Sequence, residues 1–383
     1  MSHFVNRRHG AFAAALTLAT VLAGCSAGGS SDGPTTGSGP IDPTVCDGVT
    51  LSFIGLDGEQ GDVELADWRE EHNMTLQTTS TADMSQLIAA IKSGQQFDLA
   101  TMTKDDAQRM VEGGIFQPLP TDRLENWADM VPGMAENVNI RDAEGTVYGA
   151  PIAWGDGPFV YRPDKAEIVD DRLSILDLTL PEWKDRFVLF NSPGRSFYFI
   201  GNALGFDAPY YSPEELEQVA AKAKELVQNA AAFATNYQDA TDRMVSGDVD
   251  LVINGWQAQV AAAEERGVTL DWGYFDEGRT GWWDAIAIPT TAQNAECAAL
   301  YIDQMIGVDA QKQIAENLIS GVVNVEAIAA TAGGPADVYD YEAAVMDPKT
   351  EVFGPMIPQE NVPDGVTSYQ DWLDAWEQIT SGS

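Results

Sequence analysis

The sequence predicts an α/β fold, and three observations carry that prediction. Short apolar, strand-like runs alternate with amphipathic helical stripes, the order that builds largely parallel sheets with ligand sites at the carboxyl ends of their strands. The 383 residues are enough for two ordinary domains with real cores. An apolar content of 44% and a charged content of 21% are those of a soluble globular protein.

The N-terminal segment precedes that alternation. Arg7 and Arg8 stand before an uncharged, mostly apolar run over 11–22 that is too short for a comfortable membrane span. It ends in Leu22-Ala23-Gly24-Cys25, which resembles a bacterial lipobox. Residues 1–24 are therefore read as a lipoprotein signal peptide and Cys25 as the lipidated residue. Residues 26–43 are Gly, Ser, Thr and Pro with few apolar side chains, so 25–47 read as the lipidated cysteine and a flexible linker. A tether of some 20 residues has a root-mean-square reach of about 25 Å. Two further cysteines remain, Cys46 and Cys297. In an oxidising compartment an even pair fits one disulfide tying the start of the folded part to a late helix, and it equally fits two free thiols.

From residue 49 the elements follow one another. Residues 49–54 are a short apolar run, and 62–72 an amphipathic helix carrying Val63, Leu65 and Trp68. Met84, Leu87, Ile88 and Ile91 form a helical stripe stopped by Gly94. Residues 97–102 are strand-like, and Thr103 is placed to cap a helix with Asp105 and Asp106 in its first turn, the sign the helix dipole prefers. Residues 147–154 and 158–161 are strand candidates around Gly155-Asp156-Gly157, and 187–190 is another. Ser212-Pro213-Glu214-Glu215 is a capping box with Pro at the first helical position, ahead of the stripe Leu216, Val219, Ala220, Ala223, Leu226 and Val227. Residues 251–254 and 270–275 are strands, and helices are expected near 294–306 and 309–318.

Between the last of those strands and helices lies Gly281-Trp282-Trp283-Asp284, running into the apolar stretch 285–288 and Pro289. Two indoles beside a carboxylate describe a pocket for an alkylammonium group. They equally describe a core strand with one ring in and one out, because adjacent strand side chains face opposite ways. Net charge does not decide between them. With 21 Lys+Arg against 59 Asp+Glu the formal charge is −38, and loss of the leader, which holds two arginines and no acid, makes it −40. Such a field repels nucleic acid and anionic lipid and attracts cations in general, and it also fits a salt or solubility adaptation.

The inventory of reactive groups favours binding over chemistry. Two of the three histidines, His3 and His9, lie in the leader, and His72 sits beside Glu70 and Glu71 with no nucleophile elbow nearby. Ligands for a His/Cys zinc site and Gly-rich phosphate loops are lacking, so no cofactor or metal is expected. Counting leaves open only a carboxylate-based hydrolase, since acidic pairs are abundant.

Taken in order, the motifs resemble the spermidine/putrescine-binding proteins of bacterial ABC importers. The pieces are Phe97-Asp98-Leu99 with the helix to Gly114-Ile115; Tyr148-Gly149-Ala150-Pro151-Ile152-Ala153-Trp154-Gly155; Leu180-Pro181-Glu182-Trp183-Lys184-Asp185; Met244-Val245-Ser246-Gly247-Asp248-Val249-Asp250-Leu251; and the Trp282–Pro289 stretch. They span about residues 49–325, with a weaker Tyr/Trp-rich tail. The resemblance implies a two-lobed periplasmic-binding-protein, or Venus-flytrap, fold in which each lobe is a mixed sheet flanked by helices and a solute is clamped between lobes by hinge closure. Lobe 1 would comprise 48–153 plus 285–325, and lobe 2 would comprise 154–284 plus 326–383. It also implies a monomer that is no enzyme, touches the membrane through its lipid anchor alone on the outer face of the cytoplasmic membrane or in a periplasm, and hands a polyamine or related amino compound to a permease and its ATPase.

Carried over residue by residue, the resemblance makes Trp282 a surface for the solute's methylene chain and Asp284 a partner for its amine. As i and i+2 of a strand these two share a face, leaving Trp283 to pack inside. Trp256 stands in the place of a second cleft Trp and Thr103 in that of a small hydroxyl residue at a strand end; Trp154 and Asp156 fall beside the crossing. The departures are as informative. Where the family has an aromatic and a Tyr after the first strand, this chain has Asp57 and Glu59, as substitute carboxylates or as part of a Gly-containing turn. The family's acidic pair after the lobe-2 strand at 187–190 is replaced by Asn191-Ser192-Pro193-Gly194-Arg195. Arg195 either points to solvent or faces the cleft, where it would suit a carboxylate, so that a zwitterion such as an ω-amino acid would fit Asp284 and Arg195 together. Tyr210-Tyr211 prompts a further alternative, a ferric-ion binder.

Overall fold

The computed structural model describes residues 39–56, 64–81, 84–191, 193–346, 357 and 362–381. Its strands in chain order are β1 (Thr50–Leu56), β2 (Thr75–Thr81), β3 (Leu99–Thr103), β4 (Gly149–Asp156), β5 (Phe159–Tyr161), β6 (Arg172–Leu173), β7 (Phe187–Phe190), β8 (Ala232–Ala234), β9 (Leu251–Val252), β10 (Asp271–Phe275) and β11 (Gly281–Ala287). They form two mixed sheets, ordered β2-β1-β3-β11-β4 and β6-β10-β5-β9-β7-β8. In the first sheet β1 is parallel to β2 and β3, and β11 is antiparallel to β3 and β4. In the second, β7 is parallel to β8 and β9, while β5 lies antiparallel between β9 and β10. The largely parallel expectation thus holds within β2-β1-β3 and β9-β7-β8. The antiparallel strands are those nearest the points where the chain passes between sheets.

Each sheet is buried by helices, and the pleat decides which residue goes where. Along β7, Phe187 and Leu189 enter one core with the helices Pro193–Ala203, Pro213–Asn229 and Tyr369–Thr380, while Val188 enters a separate cluster with Met244, Val252 and Leu270. Alternate strand residues meet apolar partners on both faces because helices cover both faces. The stripe Met84, Leu87, Ile88 and Ile91 is buried against the first sheet, and the capping box forms, with the Ser212 hydroxyl accepting from the Glu215 N–H and Glu215 accepting from the Ser212 N–H. Thr103 differs from expectation. The helix begins at Ala107 behind Asp106, and the Thr103 hydroxyl donates to the Asp106 carboxylate instead of capping backbone.

Cys46 and Cys297 are joined in a disulfide with their Cα atoms 5.0 Å apart. It fastens the segment ahead of β1 to the helix Ala295–Met305, and both sulfurs lie in the first core. Reduction is expected to cost about 2–4 kcal/mol, read as a lower urea midpoint, and an unchanged midpoint would count against the bond.

The chain changes sheets at points other than those expected from sequence. The β4–β11 ladder runs from Asp156↔Gly281 to Gly149↔Ala287, so 154–156 and 281–284 belong with the first sheet and the two crossings are 157–158 and 276–280. Beyond residue 325 the chain does not pass directly to the second lobe, since Tyr339, Ala344 and Val345 lie in the first core. Ile357 and the helix Tyr369–Thr380 join the second. Short Ala-containing helices and separate tyrosines carry no periodic stripe, so nothing in the sequence told which sheet they cover.

Candidate functional site

The carboxyl ends of β1, β3 and β4 lie at one rim of the first sheet, where both crossings leave it. β11 returns antiparallel along that rim, and its register sets Asp284 opposite Thr103 on one side and Ala153 on the other. The strand alternates as its sequence requires. Trp283 is wholly buried in the first core, and Trp282 and Asp284, on the other face, are half-exposed. A register shift between Asp284 and Ala285 ends the regular ladder just after the carboxylate, the kind of irregularity that re-aims a side chain at a site.

The Trp282 ring is held by what lies beneath it. A Cβ on Gly155 would stand 2.6 Å from the indole nitrogen, so the ring lies directly on the β4 backbone, and only glycine leaves it room. Around Thr103 the rim is acidic. Asp105, Asp106 and Asp284 gather there, with Lys104 donating through Nζ to the Gly281 carbonyl at 3.1 Å and Arg109 bonded to Asp106. Burial pushes the Asp106 carboxyl above its ordinary range, against the Arg109 charge that favours ionisation. Across the rim Tyr369, from the last helix, has its hydroxyl pushed up to about 12 by burial and then by the charges of Asp105 and Asp106. The second lobe therefore brings an aromatic side chain to the acidic group of the first.

Two expected site residues turn out to be internal. Trp154 is wholly buried; its indole N–H donates to the Val322 carbonyl at 2.9 Å and its ring meets Tyr339 and Tyr341 at 5.1 and 5.3 Å. It is a core side chain, because a full hydrogen-bond complement and aromatic packing leave no face for a solute. Asp156 is 2% exposed, accepting from the Tyr274 hydroxyl at 2.6 Å and from the Gln257 amide, with the Arg279 guanidinium at 4.0 Å. Burial raises its pKa against those three partners. Asp156 is a bolt between the first crossing and the second lobe, not a carboxylate open to a ligand. Its partners were not singled out from sequence; Gln257 follows Trp256 and Arg279 precedes the Trp-Trp-Asp stretch, but nothing in the chain tied either to Asp156.

Trp256 is half-buried behind β9 with its ring 5.7 Å from Tyr237. Arg195, in the first turn of the helix Pro193–Ala203, is also half-buried and does not point simply to solvent. Its Nη1 lies 2.9 Å from where a Gly157 Cβ would stand, so the guanidinium rests on the first crossing. Tyr211 is in the second core, its ring stacked on Trp372 at 5.0 Å and its hydroxyl donating to the Phe197 carbonyl, which removes it as a ferric ligand. Asp57, Glu59 and Cys25 lie outside the described residues. Among the described residues no group of three His, Cys, Asp or Glu side chains could hold a metal, and no helix is long and apolar enough to cross a membrane.

A family model described as bacterial extracellular solute-binding protein matches residues 65–342. The spermidine/putrescine-binding periplasmic protein of Escherichia coli (strain K12) is 27% identical over 224 residues, 58% of this chain and 62% of that protein. The putrescine-binding periplasmic protein SpuD of Pseudomonas aeruginosa (strain UCBPP-PA14) is 22% identical over 246 residues, 60% of this chain and 65% of that one. The matches thus span less than two thirds of these relatives. Among solved structures, the spermidine/putrescine ABC transporter substrate-binding protein PotD from Streptococcus pneumoniae superposes with a TM-score of 0.69 at 18% identity, over 87% of this chain and 98% of that one. The TpPotD lipoprotein of Treponema pallidum gives 0.69 at 14%, over 86% and 99%. At such identities these two likenesses speak for the fold, the two-lobed one of the periplasmic binding proteins.

Proposed function

Because the chain belongs to the bacterial extracellular solute-binding proteins, we propose that it is the extracytoplasmic receptor of an ABC importer, capturing a small amine-bearing solute, a polyamine or a related amino compound, between its lobes. The observation that carries this reading is the division of labour on β11: Trp283 buried, Trp282 and Asp284 side by side on the half-exposed face. An indole face attracts an alkylammonium group and covers its methylene chain, at about 0.5–2 kcal/mol per contact. A carboxylate beside it gives a charge-assisted hydrogen bond worth roughly 1.5–3 kcal/mol once water is excluded. The spermidine- and putrescine-binding names of the relatives point to the same ligand chemistry.

The receptor delivers its solute to a permease driven by an ATPase, and it acts as a monomer held to the outer face of the cytoplasmic membrane by a lipid on Cys25. The lipobox-like Leu22-Ala23-Gly24-Cys25 and the polar stretch behind it support the anchor. Hinge closure would use the crossings 157–158 and 276–280, which lie side by side where the Gly157 N–H donates to the Thr280 carbonyl at 2.8 Å. Calorimetry and thermal shift with putrescine, spermidine, γ-aminobutyrate and Fe³⁺ test the reading, since a bound solute stabilises the fold by RT ln(1 + [L]/Kd). At least one amine should raise the melting temperature in a saturable way and Fe³⁺ should not. No response to any amine would overturn the proposal.

A further inference from the structure

Asp284 supplies one charged partner in the cleft, and the opposite end of the same strand face supplies another of opposite sign. Thr280, the last residue of the second crossing, directly precedes β11, and at strand spacing it falls on the face of Trp282 and Asp284 as i, i+2 and i+4. The backbone pairing continues to Thr280, whose carbonyl accepts from Gly157. At roughly 3.3 Å per residue, four residues separate the ends of this row by about 13 Å between Cα atoms. Trp282 lies between them.

At the Thr280 end two polar groups lack partners. The Thr280 side chain is 8% exposed, and its Oγ1 has no hydrogen-bond partner. The Arg195 guanidinium pairs with no acidic side chain among the described residues. Both approach one point, the place a Gly157 Cβ would occupy, Arg195 Nη1 at 2.9 Å and Thr280 Oγ1 at 3.3 Å. A side chain at 157 would push against the guanidinium, so glycine there is what lets Arg195 and Thr280 come together on the crossing. The nearest internal acid on this crossing, Asp156, is already engaged by Tyr274, Gln257 and Arg279. A half-buried guanidinium is a planar, permanently charged donor, and a hydroxyl beside it adds a further donor. That pair matches the two oxygens of a carboxylate.

We infer that Arg195 and Thr280 form an acid-group subsite at the crossing, so that the solute is a zwitterion with its carboxylate on Arg195, its amine on Asp284 and its methylene stem over Trp282. This rests on the amine reading of the cleft and narrows it from diamines to ω-amino acids. A diamine would place its second ammonium against a guanidinium.

The test is calorimetry with three solutes of one length: 5-aminopentanoate, 1,5-diaminopentane and pentanedioate. The native protein should bind 5-aminopentanoate at least tenfold tighter than the diamine. Arg195→Gln should weaken 5-aminopentanoate roughly tenfold to a hundredfold while leaving or improving the diamine, and Thr280→Val should weaken the amino acid alone by a smaller factor. Melting curves establish that both variants fold, and the Thr280 variant tests the subsite if the Arg195 variant does not. Diamine binding as tight as that of the amino acid, with a ratio unmoved by either substitution, overturns the subsite and leaves the amine reading standing. Failure of both amine-bearing solutes, or pentanedioate bound tightest, overturns the amine reading and the zwitterion with it.

Discussion

Asp98→Ala is expected to remove roughly 3–5 kcal/mol of folding stability, because the carboxylate is the shared acceptor of two other chain segments, which it ties to its own. One oxygen accepts from the Ser52 N–H at 3.0 Å and the Ser52 hydroxyl at 2.9 Å; the other accepts from the N–H groups of Gln293 and Asn294 at 3.0 and 2.9 Å. Asp98 is 4% exposed. It links β1 to the start of β3 and serves as the acceptor at the N-terminus of the helix Ala295–Met305, whose own N-cap residue makes no side-chain cap. Alanine would leave these partly buried donors without their acceptor, each at up to about 1–3 kcal/mol before water or relaxation recovers part of the loss. Burial alone would raise the Asp98 pKa, but the hydrogen bonds from Ser52, Asn294 and Gln293 outweigh it and hold the pKa below the usual carboxylate value. For an acid depressed in the folded state, the stabilisation is complete above the unfolded pKa near 4 and is lost as pH falls through the folded one. Urea unfolding at pH 7 and at pH 3 checks both statements: the gap between native and Asp98→Ala midpoints should narrow at the lower pH, with similar slopes. A variant within 1 kcal/mol of native at pH 7 would refute the role.

Asp284→Asn should weaken an amine solute by roughly tenfold to a hundredfold, the factor equivalent to a charge-assisted hydrogen bond of about 1.5–3 kcal/mol. The substitution keeps size and shape and removes the charge. Stability should change little, because the side chain is half-exposed at the end of the regular ladder. Titration calorimetry of native and variant protein with the best amine from the screen is the measurement. An unchanged Kd would mean that the ammonium group lies elsewhere in the cleft. The neighbouring Asp105 and Asp106 supply a shared field, and that field sets the upper end of the expected loss.

What could be read from the chain alone was local or periodic. The stripe at Met84, the Ser212 capping box and the alternation that sends Trp283 inward while Trp282 and Asp284 face outward all follow from spacing within a few residues. What could not be read depends on partners distant in sequence. Trp154 is a site candidate from sequence because it falls beside the crossing that the resemblance implies. Its hydrogen-bond acceptor is Val322, 168 residues later, and its ring partners are Tyr339 and Tyr341. Asp156 is a candidate on the same ground, but it is closed by Tyr274 and Gln257 of the other lobe and Arg279 of the second crossing. Asp98 stands out in the sequence only as part of a strand-like run and a family motif, and its structural role is not legible there because the helix end it serves is 196 residues away. Arg195 is the intermediate case. Its sequence context marked it as a departure from the family, and its place on Gly157 needed the fold.

The helix Tyr369–Thr380 closes the second core, with Trp372 stacked on Tyr211 and Trp376 against Phe197. The strands of the second sheet, β5 to β10, are complete by residue 275, almost a hundred residues before it. Among the described residues, the members of the first core run no further than Met346. In a chain that emerges from its N-terminus, the lobe begun second therefore also finishes second, with a long wait between its middle and its end. Through that interval Tyr211 and Phe197 have no indole to cover them. The stage of folding most open to aggregation or proteolysis falls on this half-built lobe, and it ends only when Trp372 and Trp376 arrive.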